Sequence, residues 1–234
     1  MISSTDFEHC DFVGNRAGAD GGGVAGSSSE PHMCILRDNV ASAIGGGAHL
    51  EYSDFTGCII EGNRADTAGW VWLSSDWSSL DNCTITGNSA NAGAGLSFEF
   101  RSRVATIVNT IIWGNLREQI DAGTGYFDIS YSLIEGGWPG TGNFDGHPRF
   151  FSERGFDYLL GPGSPAIDAG DPVLADQIYD SHPWWPPWFE NGVRSDIGAY
   201  GGPDNGAWLE RTEAGGLNGA GRSSGRCAAL PPRP

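Results

Sequence analysis

The sequence predicts an all-β chain, wound as a parallel β-helix of about six coils and followed by an irregular C-terminal closing segment. Three observations carry this. A Cys and an Asn five residues apart recur as Cys10 and Asn15, Cys34 and Asn39, Cys58 and Asn63, and Cys83 and Asn88, with degenerate copies at Thr110 and Asn115 and at Ser132 and Gly137. The steps between successive first members are 24, 24, 25, 27 and 22 residues, a period that marks a solenoid. Each copy holds a short β-like run, such as Ile59-Ile60 or Thr84-Ile85-Thr86, and then a small-residue turn. Glycine recurs too often for helix interiors, and the LxxLxLxxN pattern of leucine-rich repeats does not occur.

Alternation orients the first strand of each coil. Three residues before the Asn stand Phe12, Leu36, Ile60, Ile85, Ile112 and Ile134, all large and apolar. The Cys, Thr and Ser positions share their parity and are small, so both columns are placed inside. Stacked coils bring like residues to ~4.8 Å, and large and small columns interdigitate into a filled core. At the sharp corner that follows, Asn tolerates left-handed backbone angles, and stacked amides can bond along the axis. A small corner residue (Ala17, Ala41, Ala65, Ala90) and a Gly cluster then lead to a second strand near Val24 and at residues 48–50, 71–73 and 96–98. The column four before the Asn is outward by parity, yet it reads Asp11, Ile35, Ile59, Thr84, Ile111 and Leu133. Such an apolar stripe needs a cover, which is expected from residues 140–203 folding back.

The alternation of GGGV, GGGA and GAGL with FVGN, IEGN and ITGN resembles the tetrapeptide repeats of polymorphic outer membrane proteins. More broadly it resembles right-handed parallel β-helix proteins of the pectin-lyase-like superfamily. GSPAIDAGDP (163–172) and RSDIGAYGGP (194–203) resemble the closing segment of choice-of-anchor Q domain proteins. The resemblance covers roughly residues 1–203 and implies a right-handed coil and an exported, cell-surface or extracellular bacterial protein. Only Phe12 to Asn15 is a strict FxxN.

The expected division is 1–139 for the coils, 140–203 for the closing segment and 204–234 for a disordered tail rich in Gly, Ser, Arg and Pro. Net charge is −16, which disfavours a nucleic-acid partner. Lysine is absent; all 13 basic residues are arginine. No apolar run approaches a membrane span, and residues 1–6 show no signal-peptide pattern. Phe7 to Cys10 already reads as mid-coil, so the chain is expected to be the C-terminal part of a longer exported protein.

The four regular cysteines admit three readings: a buried thiol ladder, an adjacent disulfide, or metal. Zinc sites use clusters that converge on a point, whereas these form a column, and Thr110 and Ser132 show that the column selects small residues. The ladder is therefore Cys10, Cys34, Cys58 and Cys83, beside an amide ladder of Asn15, Asn39, Asn63, Asn88 and Asn115. Cys227, in the tail, is expected to be exposed.

No catalytic set stands out. Arg37 and Glu61 share an outward column on adjacent coils and read as an exposed ion pair. Glu61 and Glu135 lie three coils apart, ~14 Å at strand spacing, too far for a glycosidase pair. Histidines are scattered, without a metal-binding spacing. Asp168 and Asp196 read as turn caps, with calcium as an alternative that no motif supports; no cofactor is implied.

The aromatics point to binding. Nine tryptophans are many for 234 residues. Trp72 and Trp113 are outward by parity, and Trp184, Trp185 and Trp188 form a Pro-stiffened cluster. Exposed Trp faces stack on sugars; alternatively the cluster packs over the helix. The leading expectation is a non-catalytic adhesin-like or polysaccharide-binding surface protein. A polysaccharide lyase or glycoside hydrolase and a structural spacer are the alternatives.

Overall fold

The computed structural model describes residues 2–3, 6–66, 71–73, 78–90, 96–98, 104–121, 126–153, 155–178, 192–208 and 228–230. The chain winds into a parallel β-solenoid. Its first sheet stacks β1 (Ile2–Ser3), β5 (Val24–Ser27), β9 (Ala48–Glu51), β13 (Val71–Leu73), β17 (Leu96–Phe98) and β20 (Ile120–Asp121). The second stacks β2 (Asp6–Glu8), β6 (Pro31–His32), β10 (Asp54–Thr56), β14 (Ser79–Asp81), β18 (Val104–Val108) and β21 (Tyr126–Ser130). The third stacks β3 (Asp11–Val13), β7 (Ile35–Arg37), β11 (Ile59–Glu61), β15 (Thr84–Thr86), β19 (Ile111–Trp113) and β22 (Leu133–Ile134). A short fourth sheet holds β4 (Arg16–Ala17), β8 (Val40–Ala41), β12 (Arg64–Ala65) and β16 (Ser89–Ala90). Four coils thus carry four strands, and the two that follow carry three among the described residues.

Register follows the sequence columns. Phe12, Leu36, Ile60, Ile85, Ile112 and Ile134 pair in order along the third sheet. Leu36, Ile60, Ile85 and Ile112 are fully buried, as are Cys34, Cys58 and Cys83. The small column is also a donor column. The Cys58 thiol reaches the Pro31 carbonyl at 3.3 Å, and Thr110 Oγ1 donates to the Leu80 carbonyl at 3.2 Å. Cys, Thr and Ser are small side chains that can donate a hydrogen bond, which explains their exchange here.

The amide ladder runs from Asn15 to Asn115. Asn15, Asn39, Asn63 and Asn88 each donate the backbone N–H and the Nδ2–H to the Oδ1 of the Asn one coil on, at 2.8 to 3.0 Å throughout. Nδ2 also donates backwards, from Asn63 to the Leu36 carbonyl and from Asn88 to the Ile60 carbonyl, both at 2.9 Å. Backbone geometry differs from the expectation on one point. The left-handed residue is the one before the Asn: Gly14, Asp38, Gly62, Gly87 and Gly114 have φ between 55° and 68°. The corner conformation is carried by that residue, which leaves the Asn side chain to bond along the axis.

The apolar outward stripe is covered from the C-terminal half. Ile59 packs with Met33, Phe156, Leu159, Ala199, Tyr200 and Trp208. Ile111 and Leu133 pack with Leu160, Ala166 and Ile197. An antiparallel hairpin, β23 (Phe150–Glu153) with β24 (Phe156–Leu160), supplies part of this cover. Within 204–234, where disorder is expected, the structure departs from the sequence reading at two places. Trp208 is buried and bonds the Ala199 carbonyl, and β25 (Ala228–Leu230) joins the second sheet antiparallel to β2. Both departures arise where an open surface finds a partner: an apolar patch in the first case, an unpaired strand edge in the second.

Candidate functional site

The second sheet forms the site. Its inward residues Phe7, Phe55, Leu80, Ile107 and Ile129 are buried. The alternate residues of the same strands therefore point outward. They include Asp6 and Glu8 on β2, His32 on β6, Asp54 and Thr56 on β10, and Ser79 and Asp81 on β14. With Glu30 before β6 and Asp204 just after the closing segment, they line an open groove of about 560 Å³ that crosses four coils. Six carboxylates face one imidazole.

His32 sits between two of them, with Nδ1 3.6 Å from Glu8 and Nε2 3.9 Å from Asp204. Across the groove, burial pushes the Asp81 carboxyl above its ordinary range. A hydrogen bond from Ser79 Oγ at 3.1 Å opposes this, and the charge of Asp54 adds to it. Asp54 pairs with Ser79 in register, so the two carboxylates occupy diagonal positions on one face.

Of the tryptophans named from the sequence, Trp72 and Trp113 do not line this groove. Trp72 lies on the first sheet, half-buried, in register with His49 and Ser97. Its indole Nε1 is buried without a hydrogen-bond partner among the described residues. Trp113 lies on the third sheet, half-buried beside the Ile111 and Leu133 cluster, with its ring 5.5 Å from that of His147. Trp184, Trp185 and Trp188 lie outside the described residues. The groove carboxylates were missed, although they are legible. They stand four and two residues before the Cys column: Asp6 and Glu8, Glu30, Asp54, and Asp81.

Arg37 and Glu61 are paired, but not as an exposed pair. Glu61 is 8% exposed, because β24 lies over it. Tyr158 donates its hydroxyl to Glu61, and Arg37 reaches Asp157 at 2.8 Å as well as Glu61. Burial pushes the Tyr158 phenol up, and the Arg37 charge opposes this. These contacts are structural: they bolt the hairpin to the solenoid.

The two closing motifs dock on Asn82 and Asn109. Asn82 Nδ2 donates to the Asp196 carbonyl at 3.0 Å, and Asn109 Oδ1 accepts from Asp171 N at 2.6 Å. Ala199 N donates to Thr84 Oγ1 at 3.0 Å. Asp196 Oδ1 accepts from Asp168 N at 2.7 Å, and Asp176 Oδ1 accepts from Gly202 N at 2.5 Å. Asp168 and Asp196 thus tie one turn to another. Burial raises Asp196 well above its ordinary range, and the Asp176 charge adds to this. Burial likewise raises Asp176 to about 7, against hydrogen bonds from the Gly202 and Asp196 N–H groups. Among the described residues no group of three or more His, Cys, Asp or Glu could hold a metal ion.

Cys10 ends the thiol column differently. It is disulfide-bonded, whereas Cys34, Cys58 and Cys83 are thiols. Burial pushes the Cys58 thiol well up. No described helix is long and apolar enough to cross a membrane. No protein-family model matches the chain, and neither does any curated protein or solved structure. The class defined by fold and site is therefore a parallel β-solenoid with an acidic groove on one face.

Proposed function

We propose that this is an exported β-solenoid that binds glycans, without cleaving them, in the acidic groove of its second sheet. The groove carries this reading. Its outward residues repeat at strand spacing, ~4.8 Å, and so offer an extended polymer a regular series of hydrogen-bond acceptors. The carboxylates select against polyuronates by repulsion, so the ligand is a neutral or amino-sugar polymer. Export is supported by the disulfide at Cys10, since such bonds persist in oxidising compartments, and by the resemblance of the repeats to right-handed, pectin-lyase-like surface proteins. The test is incubation with neutral, amino-sugar and uronic polysaccharides, with bound protein and new chain ends measured in the same tubes. Saturable binding to the first two without new ends supports the reading.

One observation favours a second reading, a glycoside hydrolase. Asp81, its pKa raised, stands diagonal to the exposed Asp54, and two carboxylates in unlike environments are the pattern of an acid with its partner. New chain ends decide for it. Neither signal leaves a structural spacer.

A further inference from the structure

We propose that a side chamber of the acidic groove seats the acetamido group of an N-acetylated amino sugar. This rests on the glycan-binding reading of the groove and narrows its ligand to a polymer that carries N-acetylhexosamine. The chamber, of about 260 Å³, shares Thr56, Asp81 and Asp204 with the groove and lies between the solenoid and the closing segment.

Register places it. Glu8, His32, Thr56, Asp81 and Val108 pair in succession along the second sheet and form one outward column. The residues that follow three of them, Met33, Gly57 and Asn82, turn the coils toward the third sheet with φ of 51°, 61° and 48°. Gly57 leaves a gap between the side chains of Met33 and Asn82. Met33 leans into it, with Sδ 2.5 Å from where a Cβ on Gly57 would stand. A thioether thus forms the chamber floor, and Leu174 and Pro203 close the opposite side.

The chamber is apolar within and polar at its mouth. Met33, Val108, Leu174 and Pro203 are its walls. Polar groups behind them are already paired. Asn82 Nδ2 donates to the Asp196 carbonyl at 3.0 Å, Gly202 N to Asp176 at 2.5 Å and Gly57 N to the Asp81 carbonyl at 3.0 Å. A ligand therefore meets the Thr56 hydroxyl and the carboxylates of Asp81 and Asp204, and then apolar surface. An acetamido group matches both parts. Its N–H donates to Asp81, its C=O accepts from Thr56 one rung away, and its methyl enters the chamber. Other sugar substituents match one part only. A hydroxyl leaves the walls unfilled, and an O-acetyl ester has no N–H for the carboxylate. A carboxylate is repelled, and an ammonium gives up water at an apolar wall.

Three hexamers of equal linkage, of N-acetylglucosamine, glucosamine and glucose, test this by calorimetry in high salt, which screens the groove's attraction for ammonium. The N-acetylated hexamer is expected to bind at least tenfold more tightly than either of the others. Leu174→Trp fills the chamber from its rim, and Thr56→Val removes the hydroxyl with little change of shape. In each, the preference is expected to fall below threefold. Glucose-hexamer binding that persists in the variants shows that they are folded. Equal affinity for the three hexamers, tighter binding of the glucosamine hexamer, or a preference that survives both substitutions overturns the chamber and leaves the groove reading standing. Binding of none of them overturns both.

Discussion

The side-chain oxygen of Asn88 accepts two hydrogen bonds from Asn63, one from its backbone N at 2.8 Å and one from its Nδ2 at 3.0 Å. Asn63 in turn accepts the same pair from Asn39. Every internal Asn is thus both end and start of a rung, and Asn39, Asn63 and Asn88 are fully buried. Asn63→Ala strands the N–H and the amide of Asn39 and uncovers the Leu36 carbonyl. Unsatisfied buried groups cost roughly 1–3 kcal/mol each, so a loss of about 3 kcal/mol is expected in urea unfolding. Asn15→Ala, at the exposed end of the ladder, is expected to cost about 1 kcal/mol or less. Equal losses at both positions contradict a cooperative ladder.

Gly198 holds the closing segment against the solenoid. Its φ is 109°, and a Cβ there would stand 2.8 Å from Ile111 Cδ1 and 3.0 Å from Thr84 Oγ1. Gly198→Ala is expected to undock residues 194–203, with a stability loss of about 2 kcal/mol or more and faster proteolysis after Arg194. Wild-type resistance to cleavage at that site in the variant argues against this docking.

The buried carboxyls make stability fall as pH rises. Asp176 is raised to about 7 and Asp196 is raised well above its ordinary range. The folded chain therefore holds protons that the unfolded chain releases near pH 4. This contribution is complete below about pH 4 and is lost as pH rises through about 7. A thermal midpoint several degrees lower at pH 8 than at pH 5 is expected. Asp196→Asn keeps an acceptor for Asp168 N–H and removes the charge, so its midpoint is expected to rise at pH 8 and to depend less on pH. A steeper dependence in the variant contradicts the assignment.

The thiol column tolerates hydroxyls. Thr110 and Ser132 occupy it already, and both donate to backbone carbonyls there. Cys83→Ser is expected to cost less than ~1.5 kcal/mol, whereas Cys83→Leu overfills a position with no exposure and is expected to cost more. In the native chain, Cys58 is expected to resist alkylation at pH 8 until urea unfolds the protein.

Much of this architecture is legible in the sequence because each solenoid position repeats. Six successive copies fix the inward column from Phe12 to Ile134, and five Asn fix the ladder. The groove is repetitive too. It is visible as acidic residues four and two places before the Cys column, but tryptophan draws attention first. Trp72 and Trp113 are outward by parity, yet they lie on two other sheets, because parity gives the face of a strand and not the side of the coil. What does not repeat is hard to read. The burial of Glu61 depends on Tyr158, 97 residues away, and the disulfide of Cys10 is invisible in a column that otherwise holds thiols and hydroxyls. Asn82 and Asn109 receive the closing segment, but by sequence they are ordinary turn residues.

The groove is tested most directly by changing its charge without changing its fold. Asp54→Asn and Asp81→Asn together remove two outward carboxylates and leave Phe55 and Leu80 in the core. Binding of wild type and double variant is compared on neutral, amino-sugar and uronic polysaccharides, with chain ends counted throughout. The predicted result is saturable wild-type binding to a neutral or amino-sugar polymer, at least tenfold weaker in the variant, with no new ends. Unchanged binding in the variant, preference for the uronic polymer, or new chain ends from the wild type would contradict a non-catalytic acidic groove.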